Sequence, residues 1–150
     1  LINVPFSNNV NYINNCFKLS FNILRTNFTK KFINGPVNKS TFLNKKYLGI
    51  TEFISNKFNT KKTAMLIFNR ELSVCPLTTH LPIKLVSKKI NRKNIEDKVN
   101  LINDFYKREF NIKPKIAVTG LNPHCETILK VDEDKEIILP TIELLKKKKF

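Results

Sequence analysis

The stretch that most restricts the fold is PKIAVTGLNPHCE at 114–126, in which an apolar, β-type run ends at Gly120 and passes into a loop carrying His124. A second stretch, LSVCPLTTHLP at 72–82, repeats the form, with an apolar run followed by a turn that carries His80. The chain has two histidines, and these are they. A residue just past the carboxyl end of a short strand stands where open α/β sheets collect ligands. A neutral imidazole nitrogen also suits zinc and similar divalent ions. His80 and His124 are therefore candidate metal ligands, although each taken alone also fits a loop-stabilising or merely exposed histidine.

Around these stretches the apolar spacing is helical. Val10, Ile13, Phe17, Phe21, Leu24 and Phe28 recur every three or four residues, which predicts an amphipathic helix over about 8–28 with Ser7 as its N-cap. Ile95, Val99, Ile102, Tyr106 and Phe110 predict a second helix over about 92–110. A short strand at 31–34 is expected to run into GPVNK at 35–39, where Gly-Pro sets a sharp turn and brings Asn38 and Lys39 to the mouth of the sheet. GITEF at 49–53 reads as a loop leading into a helix start, with Thr51 as a possible cap and a ready place for an anion. Residues 63–68 and 72–77 read as a hairpin turned by Asn69-Arg70-Glu71, and 115–119 as a further strand. The acidic run 132–136, then Ile137, Ile138, Ile142 and Leu145, then lysines, suits a helix dipole, with Pro140 placed to kink the helix. Strands alternating with long helices, plus one hairpin, indicate an α/β domain with a mixed sheet. The three glycines each fall in one of these loops, which points to special backbone needs there.

Composition narrows the class. A chain of 150 residues, 41% of them apolar, can bury one sizeable core. No apolar run approaches the roughly 20 residues that cross a bilayer, and no basic-then-apolar leader opens the chain, so a cytoplasmic protein is expected. It opens at Leu1 and stops just after lysines 146–149, which reads as a fragment. Three widely spaced cysteines with no CxxC pair argue against a disulfide framework and a thiolate zinc site. The formal net charge of +15 raises nucleic-acid binding as a possibility. Yet the lysines are scattered and arrive with abundant Asn and Ile, the mark of a compositionally biased genome. The phenylalanines fall at helical spacing and read as core rather than as base-stacking platforms.

Taken in order and at their separations, GPVNK at 35–39, GITEF at 49–53, TTHLPI at 78–83 and GLNPH at 120–124 resemble the 4-hydroxythreonine-4-phosphate dehydrogenase family of vitamin B6 synthesis, over about residues 5–150. The resemblance implies an isocitrate/isopropylmalate dehydrogenase-like α/β/α fold, of which residues 1–150 would be a central part lacking the C-terminal portion. It implies a homodimer that uses NAD or NADP to oxidise 4-phosphohydroxy-L-threonine to 2-amino-3-oxo-4-phosphooxybutanoate, which decarboxylates to 3-amino-2-oxopropyl phosphate. By the same match His80 and His124 are two of three ligands to zinc, magnesium or cobalt at the dimer interface. Thr51 matches a substrate-binding threonine, while Ile50 stands where the family has histidine. Asn38 and Lys39 match a loop near the substrate. After GLNPH the family runs Ala-Gly-Glu-Gly-Gly, whereas this chain has Cys125-Glu126-Thr127-Ile128, one residue shorter, so a different loop path is expected. The third metal histidine and most phosphate and nucleotide contacts are expected beyond Phe150. Catalytic and nucleotide-binding residues are thus unassigned, and these 150 residues alone are expected to be inactive. Two competing readings are a dehydrogenase of another phosphorylated hydroxy acid and a non-catalytic basic nucleic-acid-binding module. For the latter no groove-reading helix or RNA-binding aromatic motif is present.

Overall fold

The computed structural model describes residues 2–44, 46–125, 128 and 131–148. It divides into two compact units, Leu1–Phe58 and Asn59–Phe150.

The first unit is built on α1, Val10–Arg25. Its N-cap is Asn9 rather than the expected Ser7, because Asn9 is extended and its side chain accepts from Asn11 N at 2.9 Å. Ser7 instead donates to Asn9 Oδ1. The helix stops three residues short of the expected end, since Asn27 takes a left-handed φ of 60° that no α-helix continues. Phe28, expected on the buried stripe, is 87% exposed as a result. Phe17 and Phe21 on α1 pack with Phe42 and Leu43 into the core. Phe42 lies in the short helix α2, Lys39–Phe42, and Phe53 in α3, Ile50–Lys57. Phe17 stacks on Phe42 at 4.8 Å between ring centroids and meets Phe53 edge-on at 5.6 Å, geometries that add to plain area burial. Residues 31–34 form no strand: Phe32 packs on the core and Ile33 points away, with no partner strand among the described residues.

The second unit centres on α4, Arg92–Phe110, with the bounds expected from its apolar spacing. Asn91 caps its start by accepting from Asn94 N, and Asn111 ends it in a left-handed conformation. Ile95 and Val99 face Ile90, Ile138 and Leu145, with Leu77, Val118 and Leu121 packed against that cluster. The expected hairpin is reduced to one antiparallel bridge, Ile67 with Val74, closed by two backbone hydrogen bonds of 2.8 and 3.0 Å. The turn between them is held by Asn69 and Ser73, and Tyr106 of α4 donates to Ser73 Oγ. The expected strand at 115–119 is an irregular segment without a ladder. Among the described residues no backbone hydrogen bond is made by residues 64–66, 77–79 or 114–119, so the expected mixed sheet is not formed by them.

The C-terminal helix opens at Asp132, whose carboxylate accepts from Lys135 N. It passes through a π-turn, Asp134–Ile138, into α5, Leu139–Lys147. Leu139 N–H reaches Asp134 O across five residues. Pro140 has no N–H for the carbonyl of Glu136 and crowds it, and the widened turn just before it absorbs the mismatch. The expected kink is thus a π-turn. The three cysteines are free, and no helix among the described residues is long and apolar enough to cross a membrane.

Candidate functional site

The loop after residue 119 is wound tightly on itself. A Cβ placed on Gly120 would run into Cys125 Sγ and sit 3.0 Å from Asp134 Oδ1. No glycine of the chain has positive φ, so the need at Gly120 is for room and not for an unusual dihedral. At Gly35 a Cβ would meet nothing within 4 Å, so the expected special backbone need is absent there, and Gly49 is extended and needs no unusual dihedral.

Asp134 holds this loop from the helix that follows. It is 1% exposed, and its carboxylate accepts from Leu121 N at 2.8 Å, Asn122 N at 2.9 Å and Asn122 Nδ2 at 3.0 Å. Burial by itself pushes the carboxyl up, but the backbone amides of Asn122 and Leu121, with the Asn122 side chain, hold it below the usual carboxylate range. Cys125 N then bonds to Asn122 O at 3.0 Å and closes a 3₁₀ turn, Pro123–Cys125. Within that turn His124 has φ 59° and ψ 10°, and Cys125 has φ 57°. The side chain of His124 is exposed. Asp134 was not evident from the sequence, where it is one acid among several and serves a helix dipole.

His80 repeats the local geometry. It follows the half-buried residues 77–79, has φ 56° and is exposed. Left-handed φ in a residue other than glycine costs on the order of 1 kcal/mol, is held by its surroundings, and gathers at functional positions. Neither imidazole hydrogen-bonds another described residue, so both ring systems are open to an added ligand. No group of three or more His, Cys, Asp or Glu side chains among the described residues is arranged to hold a metal ion. The loop at 125–128, expected to take its own path, lies outside the described residues at Glu126 and Thr127.

The other candidates lie in the first unit. Asn38 and Lys39 come together at the start of α2, where Asn38 Oδ1 accepts from Ser40 Oγ at 2.7 Å and from the amides of Ser40 and Thr41. Asn38 is thus the N-cap of α2, and Lys39 is its exposed first residue. Thr51 is half-buried in the first turn of α3, whose N-cap is Gly49 and not Thr51. Beside it Glu52 keeps Oε2 buried without a hydrogen-bond partner among the described residues. Its position in the first turn places that negative charge at the positive end of the helix dipole.

Comparison with known proteins bears on both loops. A 4-hydroxythreonine-4-phosphate dehydrogenase of Sulfurihydrogenibium sp. is 39% identical over 102 residues, 67% of this chain and 32% of the relative. A D-threonate 4-phosphate dehydrogenase of Pectobacterium atrosepticum is 32% identical over 116 residues, 75% of this chain and 36% of the relative. The chain therefore spans about a third of the length of these curated relatives. The crystal structure of 4-hydroxythreonine-4-phosphate dehydrogenase from Klebsiella pneumoniae superposes with a TM-score of 0.79 at 25% identity, over 93% of this chain and 44% of that one. The family model described as pyridoxal phosphate biosynthetic protein PdxA matches residues 4–150, TTHLP and GLNPH included. With both histidine loops inside a match of that length, the chain belongs to the PdxA family of pyridoxal phosphate biosynthetic proteins.

Proposed function

We propose that the chain is the central part of one α/β/α dehydrogenase domain with a mixed sheet, which acts in the cytoplasm as a homodimer. The reaction is NAD- or NADP-dependent oxidation of 4-phosphohydroxy-L-threonine to 2-amino-3-oxo-4-phosphooxybutanoate, which then loses carbon dioxide to give 3-amino-2-oxopropyl phosphate. The observation that carries this reading is the pair of exposed, left-handed histidines, His80 and His124, in the TTHLP and GLNPH segments that the family model spans.

His80 and His124 would hold a divalent ion, zinc, magnesium or cobalt, as two nitrogen donors, with further donors from outside the described residues. The bound groups supply Lewis acidity at the substrate hydroxyl and hydride acceptance by the nicotinamide. The chain's own residues orient the substrate. Thr51 offers a hydroxyl in the first turn of α3, and Lys39 a cation for the phosphate or carboxylate. Asn38 supports that lysine by capping the helix on which it sits.

A second reading has its own support. Ile50 cannot make the hydrogen bond of the histidine it replaces, and a relative carries the name D-threonate 4-phosphate dehydrogenase. A substrate lacking the group that the histidine would contact avoids that loss, because an unmatched polar group in a site costs binding. The test is a graft in which residues 4–150 replace the counterpart segment of the Sulfurihydrogenibium relative. Reduced nicotinamide is followed with 4-phosphohydroxy-L-threonine and with D-threonate 4-phosphate. Turnover with the former, abolished by His80→Ala or His124→Ala, is the expected result. A preference for the latter establishes the second reading. A folded graft that turns over neither overturns both.

A further inference from the structure

We propose that Asp134 is the positioning residue of His124, a buried carboxylate that clamps the loop so that the imidazole is presented in one direction; this rests on the reading of His124 as a metal ligand. The connection runs through four consecutive residues. Asp134 Oδ1 accepts from Leu121 N and Oδ2 from both nitrogens of Asn122. Asn122 O in turn accepts from Cys125 N and closes the turn around Pro123 and His124. Pro123 has its φ preset by the ring, so once Asn122 is fixed little freedom is left before His124.

The clamp is anchored on a firm body. Asp134 O accepts from Leu139 N in the π-turn, Asp132 caps the helix start, and Ile138 and Leu145 of the same helix are in the core. Gly120 lets the two parts close together, since any side chain there would meet Asp134 and Cys125. A carboxylate has acceptor sites for all three donors, whereas a carboxamide of the same size would turn an N–H donor toward other N–H groups. Residues that orient a metal ligand without touching the metal commonly change affinity by about 10–100-fold when replaced.

The experiment uses the graft of residues 4–150 into the Sulfurihydrogenibium relative, which brings the remaining metal donors, isotopically labelled, with Asp134→Asn, Asn122→Ala and His124→Ala variants. Backbone order at His124 is measured by NMR relaxation without metal, amide exchange along α4 is measured in parallel, and Zn²⁺ alone is titrated by calorimetry. In Asp134→Asn, order at His124 is expected to fall from about 0.85 to below about 0.6. Protection along α4 stays unchanged, and zinc binding weakens about 10–100-fold. Asn122→Ala, which removes one donor of three and leaves the helix intact, moves both readings the same way by less, and it decides the matter if Asp134→Asn does not fold. His124 as ordered in the variants as in the parent overturns the proposal. So does a loss of α4 protection in step with His124, which would make Asp134 a general support of the fold. If His124→Ala titrates with zinc like the parent, the metal reading fails separately, and the metal-free order measurement still decides the role of Asp134.

Discussion

Gly120 and the residues around it show how single side chains set the loop. A methyl group at Gly120 would overlap Cys125 Sγ and press on Asp134 Oδ1. Gly120→Ala is expected to lower stability by about 1–3 kcal/mol in urea unfolding, the usual cost of overpacking. Adding Cys125→Gly should recover part of this, since it clears the sulfur and relieves a φ of 57°. The motif GLNPH made the loop legible in the sequence, but the reason for its glycine was not. Among the described residues, left-handed positions go to Asn27, Asn44, Asn59, Asn111, His80, His124 and Cys125 instead. Asp134 also predicts a pH dependence. Its carboxyl is held low in the folded chain by the loop amides despite its burial, so the unfolded chain binds its proton first as pH falls. The stability it contributes is whole above the ordinary aspartate range and is lost as pH drops through the depressed folded value. The gap in urea midpoint between the parent and Asp134→Asn should therefore narrow on acidification from neutral pH. A constant gap would mean that the carboxylate charge adds nothing.

At the scale of elements, what was local was legible. The bounds of α4 follow from apolar residues every three or four positions, and the structure keeps them and adds an asparagine cap at each end. Caps elsewhere were misplaced by a residue or two, because Ser7 against Asn9 and Thr51 against Gly49 differ only in which backbone is extended before the first turn. The π-turn before Pro140 was visible only as a disturbance. The energetics of α4 can be ranked from the same contacts. Asn91→Ala removes one cap bond to Asn94 N and is expected to cost about 1 kcal/mol. Ile95→Ala opens a cavity among Ile90, Val99, Ile138 and Leu145, and should cost about 2–5 kcal/mol. Urea unfolding of the two variants checks the order. If Asn91→Ala is the costlier, α4 is held by its end and not by its buried face.

For the whole molecule, the difference between expected strands and observed irregular segments has a single physical cause. A helix closes its hydrogen bonds within itself, whereas a strand needs a neighbour that is often distant in sequence. Residues 64–66, 77–79 and 114–119 make no backbone hydrogen bonds among the described residues, although Leu77 and Val118 already pack on the helical core. Ile67, Leu72 and Val74 are 61%, 73% and 52% exposed, an apolar surface of the kind that a sheet covers when it grows by another strand. The chain covers 44% of the Klebsiella structure at a TM-score of 0.79, so much of that relative's length has no counterpart here. The mixed-sheet reading then predicts where order is gained. In the 150-residue chain, the amides of Lys115 to Thr119 are expected to exchange with solvent as fast as those of an open loop, while those of Ile95 and Val99 in α4 are protected. In the graft into the Sulfurihydrogenibium relative, the amides of 115–119 should slow by orders of magnitude as neighbouring strands take up their hydrogen bonds, with α4 little changed. Fast exchange at 115–119 in a folded, active graft would refute the mixed sheet at this segment and leave His124 at the end of a free-standing loop.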